Sequence, residues 1–396
     1  MKLTEKHTVG AACVGYLTQA LTINFAPLLF ITFQNEFGIS LGRISLLIGI
    51  SFFTQLLTDT FIAKFNDRLN PRAFAIGAHI CSVLGMIGFA ILPEIMPTAF
   101  LGLVLCTVIS AIGGAIVEVL ISPIVEACPT KNKSSTMIFL HSFYCWGTAG
   151  VVILSTLFFG AFGIDHWRIL ACLWAIIPSC GAIAFIFVPI YPLNTDRDQF
   201  DSTKRSSCLR KGIFWVLFIM MFCAGAAEQT IGQWASTFAE SGLGISKAAG
   251  DVFCPCAFAL CMGIARVVYS KNGNKIRLDV FVFVSAFVCV IAYILTAVSS
   301  RPIISLIGCA LCGLSVGIMW PGTYSLATQH MAGSVQMFAL LAIAGDIGSL
   351  AGPTAAGWVA ENFGNDLRIS FLLASIFPLI ILILMKYILQ KGRSKA

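Results

Sequence analysis

Charge is what this chain has least of. Lys, Arg, Asp and Glu together make up 11% of its 396 residues, where a soluble globular domain carries roughly 25%. That poverty excludes a soluble enzyme built around one core, a nucleic-acid-binding domain and a secreted disulfide scaffold. Two motifs are missing as well: G-x-x-x-x-G-K-[ST] and H-E-x-x-H. Direct ATP drive and a zinc-protease centre therefore have no support. The longest polar stretch is 191–211, too short for a soluble catalytic or signalling domain.

What is present is apolar length. Hydrophobic residues form 58% of the chain, in runs of about 20 residues, the length of helix that crosses a bilayer. Marking these runs between polar breaks predicts twelve spans, at 9–33, 42–63, 73–92, 98–126, 134–161, 168–190, 212–239, 246–269, 278–298, 302–328, 333–360 and 367–389. The fold class expected is an all-α integral membrane protein. The first run is too long for a cleavable signal peptide. Most of the 15 cysteines (Cys81, Cys106, Cys172, Cys223, Cys261 and Cys309 among them) lie inside apolar runs, where a thiol behaves as a small hydrophobe. Cys254 and Cys256 form C-P-C without partners at metal-ligand spacing, so no metal and no cofactor is expected.

Basic residues set the expected orientation. Alternate loops divide the Lys and Arg residues 20 to 5, the larger share lying on the side of both termini. By the positive-inside rule both termini are cytoplasmic, in a plasma (inner) membrane protein. The stretch 191–211 separates residues 1–190, a six-helix bundle, from residues 212–396, a second one, and reads as a cytoplasmic linker. A repeat supports the division. F-G-I-D-H-W-R-I at 162–169 returns as F-G-N-D-L-R-I at 363–369, and from there an offset of 200 pairs Arg168 with Arg368, Leu173 with Leu373, Ile176 with Ile376 and Pro178 with Pro378. Parallel repeats of this kind place a substrate site at the membrane midplane.

Twelve spans, a 6+6 division and a basic central loop resemble the major facilitator superfamily. Its signature after the second span reads Gly, three residues, Asp-Arg, one residue, Gly, then basic residues. Here Asp67, Arg68 and Arg72 match, while Ala63 and Asn70 replace both glycines. The resemblance implies a gating latch of Asp67, Arg68 and Arg72; a solvated loop that only sets topology is the competing reading. A weaker counterpart runs from Arg266 to Lys275. A-G-A-A-E-Q-T-I-G-Q-W-A-S-T-F at 224–238, G-L-S-V-G-I-M-W-P-G-T-Y-S-L-A at 313–327 and G-G-A-I-V-E at 113–118 look like the seventh, tenth and fourth helices of fucose–proton symporters and related sugar permeases. One departure matters. Asn24 stands at or beside the first-helix Asp that works with the fourth-helix Glu in that branch, and an amide carries no proton.

An ionisable side chain at mid-bilayer costs about 2.5–3.5 kcal/mol on insertion scales, so each one is a functional candidate. Glu118 and His141 fall at similar depth in spans 4 and 5, where pairing is feasible, and a structural interhelical bond competes with proton loading. Glu228 and Asp346 lie near the middle of spans 7 and 11. These four form the expected proton-coupling set. Gln229 and Gln233, one turn apart with Trp234 beyond, suit a sugar, since amides bind hydroxyls and an indole stacks on C–H faces. Gly225 and Gly232 beside them equally mark close helix packing. Asn24, Tyr144 and Trp320 complete the substrate-binding candidates; Trp320 competes with a lipid-facing role, and Asp346 with capping a kink near Gly345 and Gly348.

The expected function is secondary active transport of a small polar solute, a sugar first, by H+ symport, with Na+ as the alternative ion. The expected protein is a monomer in the lipid bilayer. The second reading is a proton-driven exporter of drugs or amphipathic metabolites.

Overall fold

The computed structural model describes residues 3–65, 70–130, 133–191, 210–272, 277–331 and 335–393. The chain divides into two compact units, Met1–Thr195 and Asp196–Ala396. Among the described residues the secondary structure is helical throughout.

The first unit holds α1 (Glu5–Phe37), α2 (Leu41–Phe65), α3 (Pro71–Ile95), α4 (Ala99–Ala127), α5 (Lys133–Phe162) and α6 (Ile164–Phe187). The second holds α7 (Gly212–Gly242), α8 (Lys247–Tyr269), α9 (Leu278–Val298), α10 (Pro302–Ala327), α11 (Val335–Asn362) and α12 (Leu367–Gln390). Eleven of these are long and apolar enough to cross a membrane by length and composition. The twelfth, α11, occupies the place of the eleventh predicted span and carries Gly345, Asp346, Gly348, Ser349, Gly352, Pro353 and Thr354 in succession. On α2 the residues Leu46, Phe53, Leu57 and Phe61 are each at least 49% exposed and share one helical face. An apolar face turned outward is what lipid contact requires.

Proline explains where the helices break. Pro27 has no amide hydrogen for the Ile23 carbonyl, and α1 tightens into a 3-10 turn over Ala26–Leu29. Pro178 and Pro378 act alike. Each removes the donor to a carbonyl four residues back, and α6 and α12 are interrupted at Ala175 and Ser375. The sequence repeat is therefore also a repeat of kinks.

It is a repeat of clamps too. Arg168, at the start of α6, pairs with Glu36 at the end of α1 and, at 3.1 Å, with Glu94 at the end of α3. Its guanidinium lies 4.7 Å from the Trp167 ring centroid. Arg368, at the start of α12, reaches Gly242 at the end of α7 and the carbonyls of Ala297 and Ser299 on either side of the end of α9. Carboxylates in the first unit are replaced by carbonyls in the second. Arg368→Ala removes charge-assisted bonds worth about 1.5–3 kcal/mol each when well formed. A fall in the thermal midpoint of the purified protein is the expected result, and an unchanged midpoint would count against the clamp.

The α7–α11 seam brings backbone against backbone. A Cβ on Gly225 would stand 2.2 Å from the Gly345 carbonyl oxygen, and one on Gly348 would stand 1.9 Å from that of Phe222. Glycine is required at both because backbone occupies the space a side chain would fill.

Candidate functional site

In the first unit, polar side chains from four helices meet. The Gln55 amide on α2 donates to Glu118 on α4 at 2.5 Å. One turn further along α4, Ser122 shares a 2.9 Å hydrogen bond with the hydroxyl of Tyr16 on α1. The Tyr16 ring meets His141 of α5 edge-on, with centroids 5.1 Å apart. Glu118 and His141, expected to pair, are related by a chain of neighbours: Ser122 one turn along α4 from Glu118, then Tyr16, then His141. Gln55, Tyr16 and Ser122 were not singled out by sequence. The available signal for Gln55 was an amide inside an apolar run.

Asn24 donates to its own Ala20 carbonyl at 2.8 Å and to the Thr148 hydroxyl of α5 at 3.2 Å. It ties α1 to α5 just before the 3-10 turn. Thr148 also donates to the carbonyl of Tyr144, one turn back on α5, whose side chain is half-buried. Asp67 and Arg68 lie outside the described residues. Arg72 donates to the carbonyls of Phe185, Ile186 and Val188 at 2.6–2.8 Å. A cation on the last carbonyls of α6 satisfies groups that a helix end leaves without donors. The contact binds the start of α3 to the end of α6 inside this unit.

In the second unit Glu228 is buried at mid-α7, 3.7 Å from a guanidinium nitrogen of Arg266 on α8. Gln229 and Gln233 face each other along α7, amide to amide at 3.4 Å. Trp234 does not stay with them. Its indole N–H donates to the Pro353 carbonyl of α11 at 2.8 Å, and the ring is fully buried. A buried indole must place its N–H on an acceptor, and here that acceptor belongs to the packing seam with α11. Trp234→Phe is expected to lower stability by about 1 kcal/mol with solute affinity unchanged; a change in solute Kd at unchanged stability would return Trp234 to the site.

Trp320 is half-buried and lays its ring edge where Gly345 has no side chain. That contact sets it beside Asp346 in the chain. Asp346 is half-buried and makes no hydrogen bond or ion pair among the described residues. At the far end of α7, Asp251 of α8 is buried, accepts from Ser236 and pairs with Lys247 at 3.2 Å. Asp251 and Ser236 were not singled out by sequence, Lys247 was counted there only for topology, and Arg266 entered only as the start of the weaker loop counterpart. Cys254 and Cys256 are free thiols, and among the described residues no group of three or more His, Cys, Asp or Glu could hold a metal ion.

Residues 10–345 match the model of the Major Facilitator Superfamily, and the chain belongs to that family. Its members are transporters, so this is a multi-pass membrane transporter and not an enzyme. No curated protein matches the chain. It is similar in fold to a bacterial homologue of the human lysosomal transporter Spinster, with a TM-score of 0.76 at 15% identity over 96% of both chains. The Escherichia coli fucose:proton symporter FucP aligns with a TM-score of 0.64 at 17% identity, over 96% of this chain and 98% of that one. The E. coli xylose transporter XylE aligns at 0.75 and 11% identity, over 97% and 99%.

Proposed function

We propose that this transporter carries a monosaccharide or similarly hydroxylated solute by alternating access, driven by H+ symport, with both termini in the cytoplasm. The observation that carries the reading is a mid-helix carboxylate in each unit with amides on or against its helix: Glu118 accepts from Gln55, and Glu228, which faces Arg266, shares α7 with the Gln229–Gln233 amide pair. A carboxylate on a transmembrane helix can gain and lose a proton, the property a proton carrier needs. Amides that donate and accept match the hydroxyls of a sugar. FucP and XylE, both similar in fold, are described as a fucose:proton symporter and a xylose transporter, which favours sugar over the exporter reading.

Asn24 removes one acid from the pattern of fucose–proton symporters, leaving Glu118, Glu228 and Asp346 to carry the proton, with His141 joined to the Glu118 cluster through Tyr16. The test is uptake of labelled monosaccharides, fucose and xylose among them, into proteoliposomes with and without an imposed inward pH gradient. Accumulation that requires the gradient is expected. Uptake indifferent to pH would indicate a facilitator or Na+ coupling, and no uptake of any sugar would transfer the reading to the exporter.

A further inference from the structure

The tenth helix is broken where a proline removes a donor. Pro321 has no amide hydrogen for the Gly317 carbonyl, and the helix stops at Val316 and resumes at Met319. That carbonyl is not left empty. Arg266 of α8 donates to it through Nε at 3.3 Å, while a terminal nitrogen of the same guanidinium lies 3.7 Å from the Glu228 carboxylate and 3.6 Å from the Met262 sulfur. One planar cation therefore touches the buried acid of α7 and the break in α10 together. The side chain of Arg266 is about one-third exposed and that of Glu228 about one-tenth. Placing an arginine here is expensive unless its donors are used.

We propose that Arg266 is a positioning residue that transmits the charge state of Glu228 to the bend of α10 at Gly317. With Glu228 ionised, the guanidinium is shared between the carboxylate and the Gly317 carbonyl. With Glu228 protonated, the carboxylate releases its pull and the cation is held at the break. The segment beyond the break carries Trp320, whose ring packs on Gly345 of α11, so a change of bend is felt at that indole. Besides Arg266, α11 brings Asp346 to the region, and the outer part of α8 brings Asp251 and Lys247 to α7 through Ser236. The described charged groups within α9 and α12 lie near the helix ends, at Asp279, Arg368 and Lys386, and α10 carries none, with Arg277, Arg301, His330 and Asp366 just beyond the ends of these helices. The inference rests on the proton-loading role given to Glu228 above.

The test needs no solute. The full chain is labelled with 5-fluorotryptophan, and the Trp320 resonance is assigned by its loss in Trp320→Phe. In the unsubstituted protein that resonance is expected to move by more than its linewidth between about pH 5 and about pH 8.5. The movement is expected to vanish in Glu228→Gln and Arg266→Gln, and to survive in Asp346→Asn. Arg266→Lys keeps the charge without the fork and is expected to shrink the movement at least twofold; this variant decides the matter if Arg266→Gln fails to fold. Movement that persists in Glu228→Gln, or at full size in Arg266→Lys, overturns the proposal. A resonance indifferent to pH, in a protein whose gradient-driven uptake is lost in Glu228→Gln, overturns the link while leaving Glu228 as proton carrier. Failure of sugar uptake leaves this test untouched.

Discussion

Glu118→Gln is expected to reduce the uphill accumulation of solute in proteoliposomes to the equilibrium ratio, while solute exchange continues at near the unsubstituted rate. The substitution is nearly isosteric. A glutamine oxygen still accepts from Gln55, which holds Glu118 at 2.5 Å, and the neighbouring Tyr16–Ser122 bond is untouched. What disappears is only the ability to gain and lose a proton. Exchange requires binding and the conformational cycle but no net proton release, whereas accumulation requires a proton to arrive on one side and leave on the other. The measurement compares gradient-driven uptake with counterflow in the same vesicles. Accumulation at the unsubstituted level would remove Glu118 from coupling. Loss of exchange together with accumulation would make it a binding residue instead.

Gly348→Val is expected to abolish recovery of monodisperse protein. The first added carbon would stand 1.9 Å from the Phe222 carbonyl oxygen, 2.8 Å from its carbon and 3.0 Å from the Ala226 nitrogen. All three are backbone atoms of α7, so no rotamer change relieves them and the two helices must separate. Overpacking against movable side chains already costs about 1–3 kcal/mol. Separation here would also strain the Trp234–Pro353 bond across the same pair of helices. Gly232→Ala serves as the control, because its Cβ would meet nothing closer than Phe258 at 3.8 Å. Size-exclusion profiles of the two variants check the prediction, and equal recovery would refute the seam.

These two predictions differ in what made them visible. Glu118 stood out in the sequence because an acid in an apolar run is conspicuous. Gly348 is one of 35 glycines, and nothing in its neighbours separates it from Gly232. Only the approach of a second helix does so. Gly225 and Gly232 were read as one pair of packing marks, and the structure divides them: Gly225 meets backbone, and Gly232 has room. Trp234 illustrates the same limit. Its spacing from Gln229 and Gln233 put it on a plausible face, but the position of the Pro353 carbonyl decided where its N–H went.

Sequence alone determined the membrane class, the helix positions and the repeat, because each follows from local composition: apolar length sets a span, and a proline sets a kink. The offset of 200 located Arg168, Arg368, Pro178 and Pro378 as equivalents before their clamps and kinks were seen. Tertiary structure decided the partners. Arg266 counted in the sequence as one more basic residue near a loop, yet it reaches Glu228, 38 positions earlier, and Gly317, 51 positions later. Long-range pairing of this kind depends on which faces two helices present to each other, and a one-dimensional pattern of hydropathy holds no record of that choice.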